Sequence, residues 1–140
     1  ITIHAGEPAV PGISRNIITA IESMGADRIG HGVQAIHDPA AIALLAERGI
    51  PLELCPTSNR LTQAVASLDD YPLLKLRDAG VQVTINTDDP GIMDTNLSRE
   101  YALMAEHLGV TRADFEQFNE WARAASFIDH EKIERALAAD

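Results

Sequence analysis

The sequence predicts an α/β fold with parallel strands, on three observations. Four short apolar runs recur after roughly 25 to 33 residues, about the length of one strand, one helix and two loops in a βαβ unit. Helical patterns fill the intervals between them. Each apolar run ends in a cluster of metal-ligand or acid/base side chains, and a parallel sheet carries its chemistry where its strands end.

The runs and their clusters come in order. Ile1-Thr2-Ile3 leads into His4-Ala5-Gly6-Glu7, and Arg28-Ile29-Gly30 leads into His31-Gly32. Pro51-Leu52-Glu53-Leu54 leads into Cys55-Pro56-Thr57-Ser58-Asn59, and Val83-Thr84-Ile85-Asn86-Thr87 into Asp88-Asp89-Pro90. Between the first two, Ile17, Ile18, Ile21 and Met24 keep one helical face, with Gly25 as the stop. The next helix starts from the cap Asp38 and the first-turn proline Pro39 and ends at Gly49. Tyr71, Leu73, Leu74 and Leu76 repeat the plan before Gly80. No strand pattern follows the Asp pair. Helices are expected from Leu97 to Leu108 after the cap Asn96, from Thr111 to Ala125 with Asp114 near the first turn, and from Asp129 or His130 to Ala138.

At 140 residues and 46% apolar content the chain suffices for one globular domain, yet four strands cannot close a barrel of eight. Ile1 already lies within a strand pattern, so the chain reads as the second half of a longer fold, with no internal domain boundary. The net charge of −10 disfavours nucleic acid and anionic membranes as partners, because like charges repel within a Debye length. No apolar stretch is long enough to span a bilayer. A small-molecule enzyme of cytoplasmic location fits, and the single cysteine excludes an intrachain disulfide framework.

Each cluster supports a chemical and a structural reading. His4 at a strand end offers an imidazole to a metal while Glu7, three residues on, reaches a substrate above it; a solvated loop is the alternative. Asp88 and Asp89 crowd two carboxylates at a strand end, which a cation would relieve, and alternation turns their side chains apart; an Asp-Asp-Pro turn is the alternative. His31 sits between two glycines that permit close backbone approach, as ligand or as a buried histidine bonded to a carbonyl. His37, His107 and His130 read as surface residues, and Cys55 as a buried structural thiol at a strand-to-turn junction. Ser58 and Asn59 either line a pocket mouth or cap their loop.

In this order, His-Ala-Gly-Glu, Arg-Ile-Gly-His-Gly, Glu-Leu-Cys-Pro-Thr-Ser-Asn and Asn-Thr-Asp-Asp-Pro resemble the adenosine/adenine deaminase family of zinc-dependent amidohydrolases. Asn96-Leu97-Ser98-Arg99-Glu100-Tyr101 and Ala125-Ser126-Phe127 look like that family's C-terminal helices, so the resemblance covers nearly the whole chain. It implies a (β/α)8 barrel of which this chain supplies strands five to eight plus C-terminal helices. It implies that His4 and Asp88 ligate Zn2+, that Glu7 is the proton donor to the purine ring, that His31 orients or assists the attacking water and that Asp89 hydrogen-bonds the purine. Glu7, His31 and Asp88 form the catalytic set.

The implied reaction is hydrolysis of adenosine to inosine and ammonia, with adenine or aminofutalosine as alternative substrates. Asn86 to Met93 with Thr95-Asn96-Leu97 looks more like the nucleoside type. Two departures stand out. The family's first strand carries a His-x-His pair giving two further zinc ligands, and no such pair occurs here, so the missing N-terminal half of the barrel is the expected partner and the isolated chain is expected to be inactive. Gln63 stands where the family pattern leads one to expect glycine. The alternative of another class is a catalytically incompetent half-barrel that binds or assembles through its exposed strand edges.

Overall fold

The computed structural model of the chain describes residues 1–129 and residue 135. Four strands, β1 (Thr2–Ala5), β2 (Arg28–His31), β3 (Leu52–Leu54) and β4 (Val83–Ile85), form one sheet in the order β1-β2-β3-β4 with every pairing parallel. Each strand lies beside its predecessor and the order never reverses. Parallel crossovers are right-handed, so an unreversed order puts the connecting helices on one face of the sheet and leaves the other face clear, which is how a barrel wall is built.

The register shows the two faces. Ile3, Ile29, Leu52 and Val83 form one cross-strand row, and the last three of these are wholly buried. Ile17 and Ile21 of α1 (Arg15–Glu22), Leu45 of α2 (Pro39–Arg48) and Leu73 and Leu76 of α4 (Leu73–Asp78) belong to the same core. Each such aliphatic side chain contributes about 1.5–3 kcal/mol by leaving water. The neighbouring row is His4, Gly30, Glu53 and Thr84. This second face is polar: Thr2 Oγ1 donates to Glu53 Oε2 at 2.6 Å, and the Arg28 guanidinium pairs with Glu53 at 3.3 Å.

Helix ends follow the sequence closely. Asp38 Oδ1 accepts from the backbone N–H groups of Ala40 and Ala41, and α2 stops at left-handed Gly49. Asn96 caps α6 (Leu97–Leu108) through the N–H of Arg99, and Thr111 and Asp114 form a reciprocal capping box on α7 (Arg112–Ala125). Beyond α7, Phe127 lies under the Arg28 guanidinium at 3.9 Å, and Arg28 donates to the Ala125 carbonyl at 3.3 Å. The segment just after α7 is thereby tied to the second strand.

Several expectations need correction. The fourth strand stops at Ile85: the Asn86 N–H still donates to the Leu54 carbonyl at 2.8 Å, and the chain then leaves the sheet and enters the left-handed region at Asp88, φ 57°. The first helix ends at Glu22, which leaves Met24 exposed outside its apolar face. Three short elements carry no clear periodicity in the sequence: a 3-10 turn (Val33–His37), α3 (Pro56–Leu61) and α5 (Pro90–Met93). The junction at Cys55 is therefore a strand-to-helix step. The expected last helix, with His130, lies outside the described residues apart from Asp129 and Arg135.

The capping box gives a test. The hydroxyl and N–H of Thr111, joined by Arg77, hold the Asp114 carboxyl below its ordinary value of 3.8. A carboxyl held down in the fold adds stability that is complete above its ordinary value and is lost as pH falls through the folded one. Urea unfolding should find Asp114→Asn less stable than the unaltered chain at about pH 7, with the gap shrinking on acidification toward about pH 3.

Candidate active site

Because the four strands are parallel, their C-terminal ends meet on one rim, and the four sequence clusters meet with them. A cavity of about 160 Å³ there is lined by His4, Gly30, His31, Glu53, Cys55, Asn86 and Asp88. A larger groove of about 340 Å³, lined by Val33, His37, Asp70 and Lys75 among others, includes none of these rim residues.

His31 is the centre of the arrangement. Its ring is buried and packs edge-on against His4, with centroids 4.8 Å apart. Its Nε2 lies 3.7 Å from Glu7 Oε2 and 3.9 Å from Asp88 Oδ2, so two carboxylates flank one imidazole nitrogen. Burial lowers the His31 pKa below 6.5, against the opposing pull of Glu7 and Asp88. The flanking glycines have separate roles. A Cβ on Gly30 would stand 2.5 Å from His4 Cδ2, and one on Gly32, at φ +67°, would stand 2.5 Å from Leu52 Cδ2. Gly30 makes room for the His4 ring, and Gly32 lets the chain turn out of β2 over the core.

His31 and Asp88 both adopt left-handed backbone conformations, at φ 60° and 57°. Such residues cost on the order of 1–2 kcal/mol each and persist where surrounding bonds fix them. Here the fixing bonds come from α3. Ser58 Oγ donates to Asp88 Oδ2 at 2.7 Å, Asn59 Nδ2 donates to Glu7 Oε1 at 3.3 Å and lies 3.1 Å from His31 Nδ1, and Thr62 Oγ1 also donates to Glu7 Oε1 at 3.1 Å. Behind them the buried Tyr71 hydroxyl donates to Asn59 Oδ1 at 2.7 Å. Gln63, just after this helix, has φ 61°, the backbone region that accounts for the glycine expected there.

Glu100 of α6, fully buried, sets the helix itself. Its carboxylate accepts from the Thr57 N–H at 3.0 Å and from the Thr95 hydroxyl. Neither Glu100 nor Tyr71 stood out in the sequence as part of the site, and Ser58 and Asn59 are integral to it, beyond a pocket rim. Only burial could have revealed them.

Of the residues expected from sequence, His4, Glu7, His31 and Asp88 come together. Asp89 does not join them: it stands exposed at the cap position of α5. The two aspartates part through the left-handed turn at Asp88, beyond the end of β4, and strand alternation plays no part. Cys55 is a free buried thiol whose pKa burial pushes far up, so it is not a nucleophile. His37 is exposed, and His107 pairs with Asp69 at 2.7 Å on the surface.

A matching family model decides the affiliation: the adenosine deaminase model covers residues 1–139. The chain belongs to the adenosine deaminase family. This adenosine deaminase family chain is 43% identical over 132 residues to an adenosine deaminase of Serratia proteamaculans, covering 94% of this chain and 39% of that protein. It is 44% identical over 126 residues to an aminodeoxyfutalosine deaminase of Streptomyces coelicolor, covering 90% of this chain and 32% of the relative. A solved amidohydrolase structure from Burkholderia ambifaria with bound Zn superposes with a TM-score of 0.82 at 33% identity, over 99% of this chain and 38% of that one. The chain thus spans roughly a third to two-fifths of the length of these relatives, and its fold is a four-strand arc of their barrel.

The donor types around the cavity suit zinc, since His4 brings an imidazole nitrogen and Asp88 a carboxylate oxygen. Their number falls short. Among the described residues no group of three or more His, Cys, Asp or Glu side chains is placed to hold a metal ion. No helix of the described residues is long and apolar enough to cross a membrane.

The Glu100 anchor gives a second test. Glu100→Ala strands the Thr57 N–H and the Thr95 hydroxyl, and should cost about 3 kcal/mol in denaturant unfolding. The exposed Glu106→Ala on the same helix should stay within about 0.5 kcal/mol of the unaltered chain.

Proposed function

We propose that this chain is the C-terminal half of one barrel domain, and that the completed barrel hydrolyses the amino group of a 6-aminopurine nucleoside, adenosine to inosine and ammonia. The observation that carries the reading is the placement of Glu7 Oε2 and Asp88 Oδ2 on either side of His31 Nε2, with His4 against the same ring. In this reading the orienting imidazole and both ligands line one small cavity, and the acid stands beside it against the imidazole.

His4 and Asp88 would hold the zinc ion, with further ligands from strands outside this chain. When bound, zinc would act as a Lewis acid that lowers the pKa of water to about 7. The chain's own residues handle the protons and the substrate. As water adds to the amino-bearing carbon, the C=N electron pair moves to the adjacent ring nitrogen, where Glu7 delivers a proton; the water's own proton passes to the exocyclic amine, whose C–N bond then breaks to release ammonia. Glu7 Oε1 is already occupied by Asn59 and Thr62, so Oε2, on the His31 side, is the oxygen free to act. His31 orients the attacking water. Asp89, exposed on the rim beside Asp88, hydrogen-bonds the purine edge.

A second substrate is favoured by one observation, the 44% identity to an aminodeoxyfutalosine deaminase. Side-by-side turnover of adenosine, adenine and aminofutalosine by the completed protein separates the readings, and a protein inert on all three would leave the binding or assembly role of a half-barrel.

Zinc should follow barrel completion. Metal analysis should find the isolated 140-residue chain substoichiometric and a reconstituted or full-length protein near one zinc per site; tight stoichiometric zinc on the isolated chain would overturn the shared site and make His31 a ligand. In the completed protein, Glu7→Gln should keep its zinc and lose about 10²–10⁴-fold in turnover, the range for a lost general acid. Zinc loss, or unchanged turnover, would contradict the donor role.

A further inference from the structure

Asn59 is wholly buried, and all three bonding positions of its amide that face the site are taken. Oδ1 accepts from the Tyr71 hydroxyl at 2.7 Å. The amide nitrogen lies 3.3 Å from Glu7 Oε1 and 3.1 Å from His31 Nδ1. The side on which the nitrogen sits is dictated by its neighbours. Glu7 Oε1 already receives Thr62 Oγ1 and acts only as an acceptor there, so it requires an N–H from Asn59; a reversed amide would set Oδ1 against the carboxylate oxygen. The second N–H of the same nitrogen then points at His31 Nδ1, which must accept it. A neutral imidazole that accepts at Nδ1 carries its proton on Nε2.

We propose that Asn59 is a positioning residue that fixes His31 as its Nε2–H tautomer and so makes it a hydrogen-bond donor toward the cavity. Nε2 is the atom that faces Glu7 and Asp88, so the donor is presented between two carboxylates. The catalytic consequence rests on the deamination reading above: His31 would orient the attacking water by donating to its oxygen and would not remove its proton. The tautomer itself stands on the geometry alone. An Nδ1 that accepts from the Asn59 amide carries no proton, so the same contact makes the ring neutral.

The test is a long-range proton–nitrogen correlation spectrum of the chain labelled with ¹⁵N histidine, at about pH 8, where imidazole is neutral. His31 is assigned by its disappearance in His31→Gln. The expected pattern is a pyrrole-type Nε2 and a pyridine-type Nδ1, with an excess of one tautomer of about tenfold or more, the population one net hydrogen bond sustains. Asn59→Asp replaces the donor by an acceptor and should move the proton to Nδ1. A wild-type ring protonated on Nδ1 or averaged between tautomers, or an Asn59→Asp ring that keeps Nε2–H, would overturn the proposal. Should Asn59→Asp fail to fold, the scalar coupling across the bond from Asn59 Nδ2 to His31 Nδ1, measured in the unaltered chain, decides: its presence supports the assignment and its absence overturns it. None of these arms reads turnover, so their failure leaves the deaminase reading intact, and the failure of that reading leaves them unaffected.

Discussion

Parallel pairing in unbroken sequence order is the constraint on which everything else in this chain depends. It forces four separate segments to end on one rim, although His4 and Asp88 are far apart along the chain. It also assigns one face of the sheet to helices and frees the other for polar residues such as Thr2, Arg28 and Glu53. An antiparallel pairing of the same strands would scatter the clusters to opposite ends.

A second layer holds the rim in shape. Two residues at the centre of the site, His31 and Asp88, sit in left-handed conformations that L-residues disfavour, and the six-residue helix α3 fixes them. Its first turn is pinned by Glu100, its Ser58 and Asn59 reach the carboxylates and the imidazole, and Tyr71 backs Asn59. The Asn59 amide nitrogen and the Glu100 carboxylate each hold two partners within this network, and such a buried polar cluster specifies one geometry. Helix α6 supports this layer through Glu100, which bonds the Thr57 N–H at the start of α3.

The affiliation and the geometry bear on different questions. Membership of the adenosine deaminase family rests on a match along nearly the whole chain. The proposed division of the zinc shell rests on what the chain contains: among the described residues, no group of three or more His, Cys, Asp or Glu side chains is placed to hold a metal ion. Under that proposal, strands outside this chain supply the remaining ligands and cover the sheet edges at β1 and β4.

The sequence by itself determined the parallel α/β class, the four clusters and their order, and the ends of α2, α6 and α7, because these depend on contacts between near neighbours: period, caps and stop glycines. It also singled out His4, Glu7, His31 and Asp88 as candidates, since their residue types at strand ends are chemically unusual, and the structure brings these four together. Only the tertiary structure decided that Ser58 and Asn59 belong to the site, that Tyr71 and Glu100 support it, and that Asp89 stands apart at its rim. Those facts depend on partners 12 to 52 residues away in sequence, which no local pattern encodes. Helix α3 is the clearest case: Thr-Ser-Asn is a weak helix former, and the helix exists because Pro56 starts it and distant carboxylates hold it.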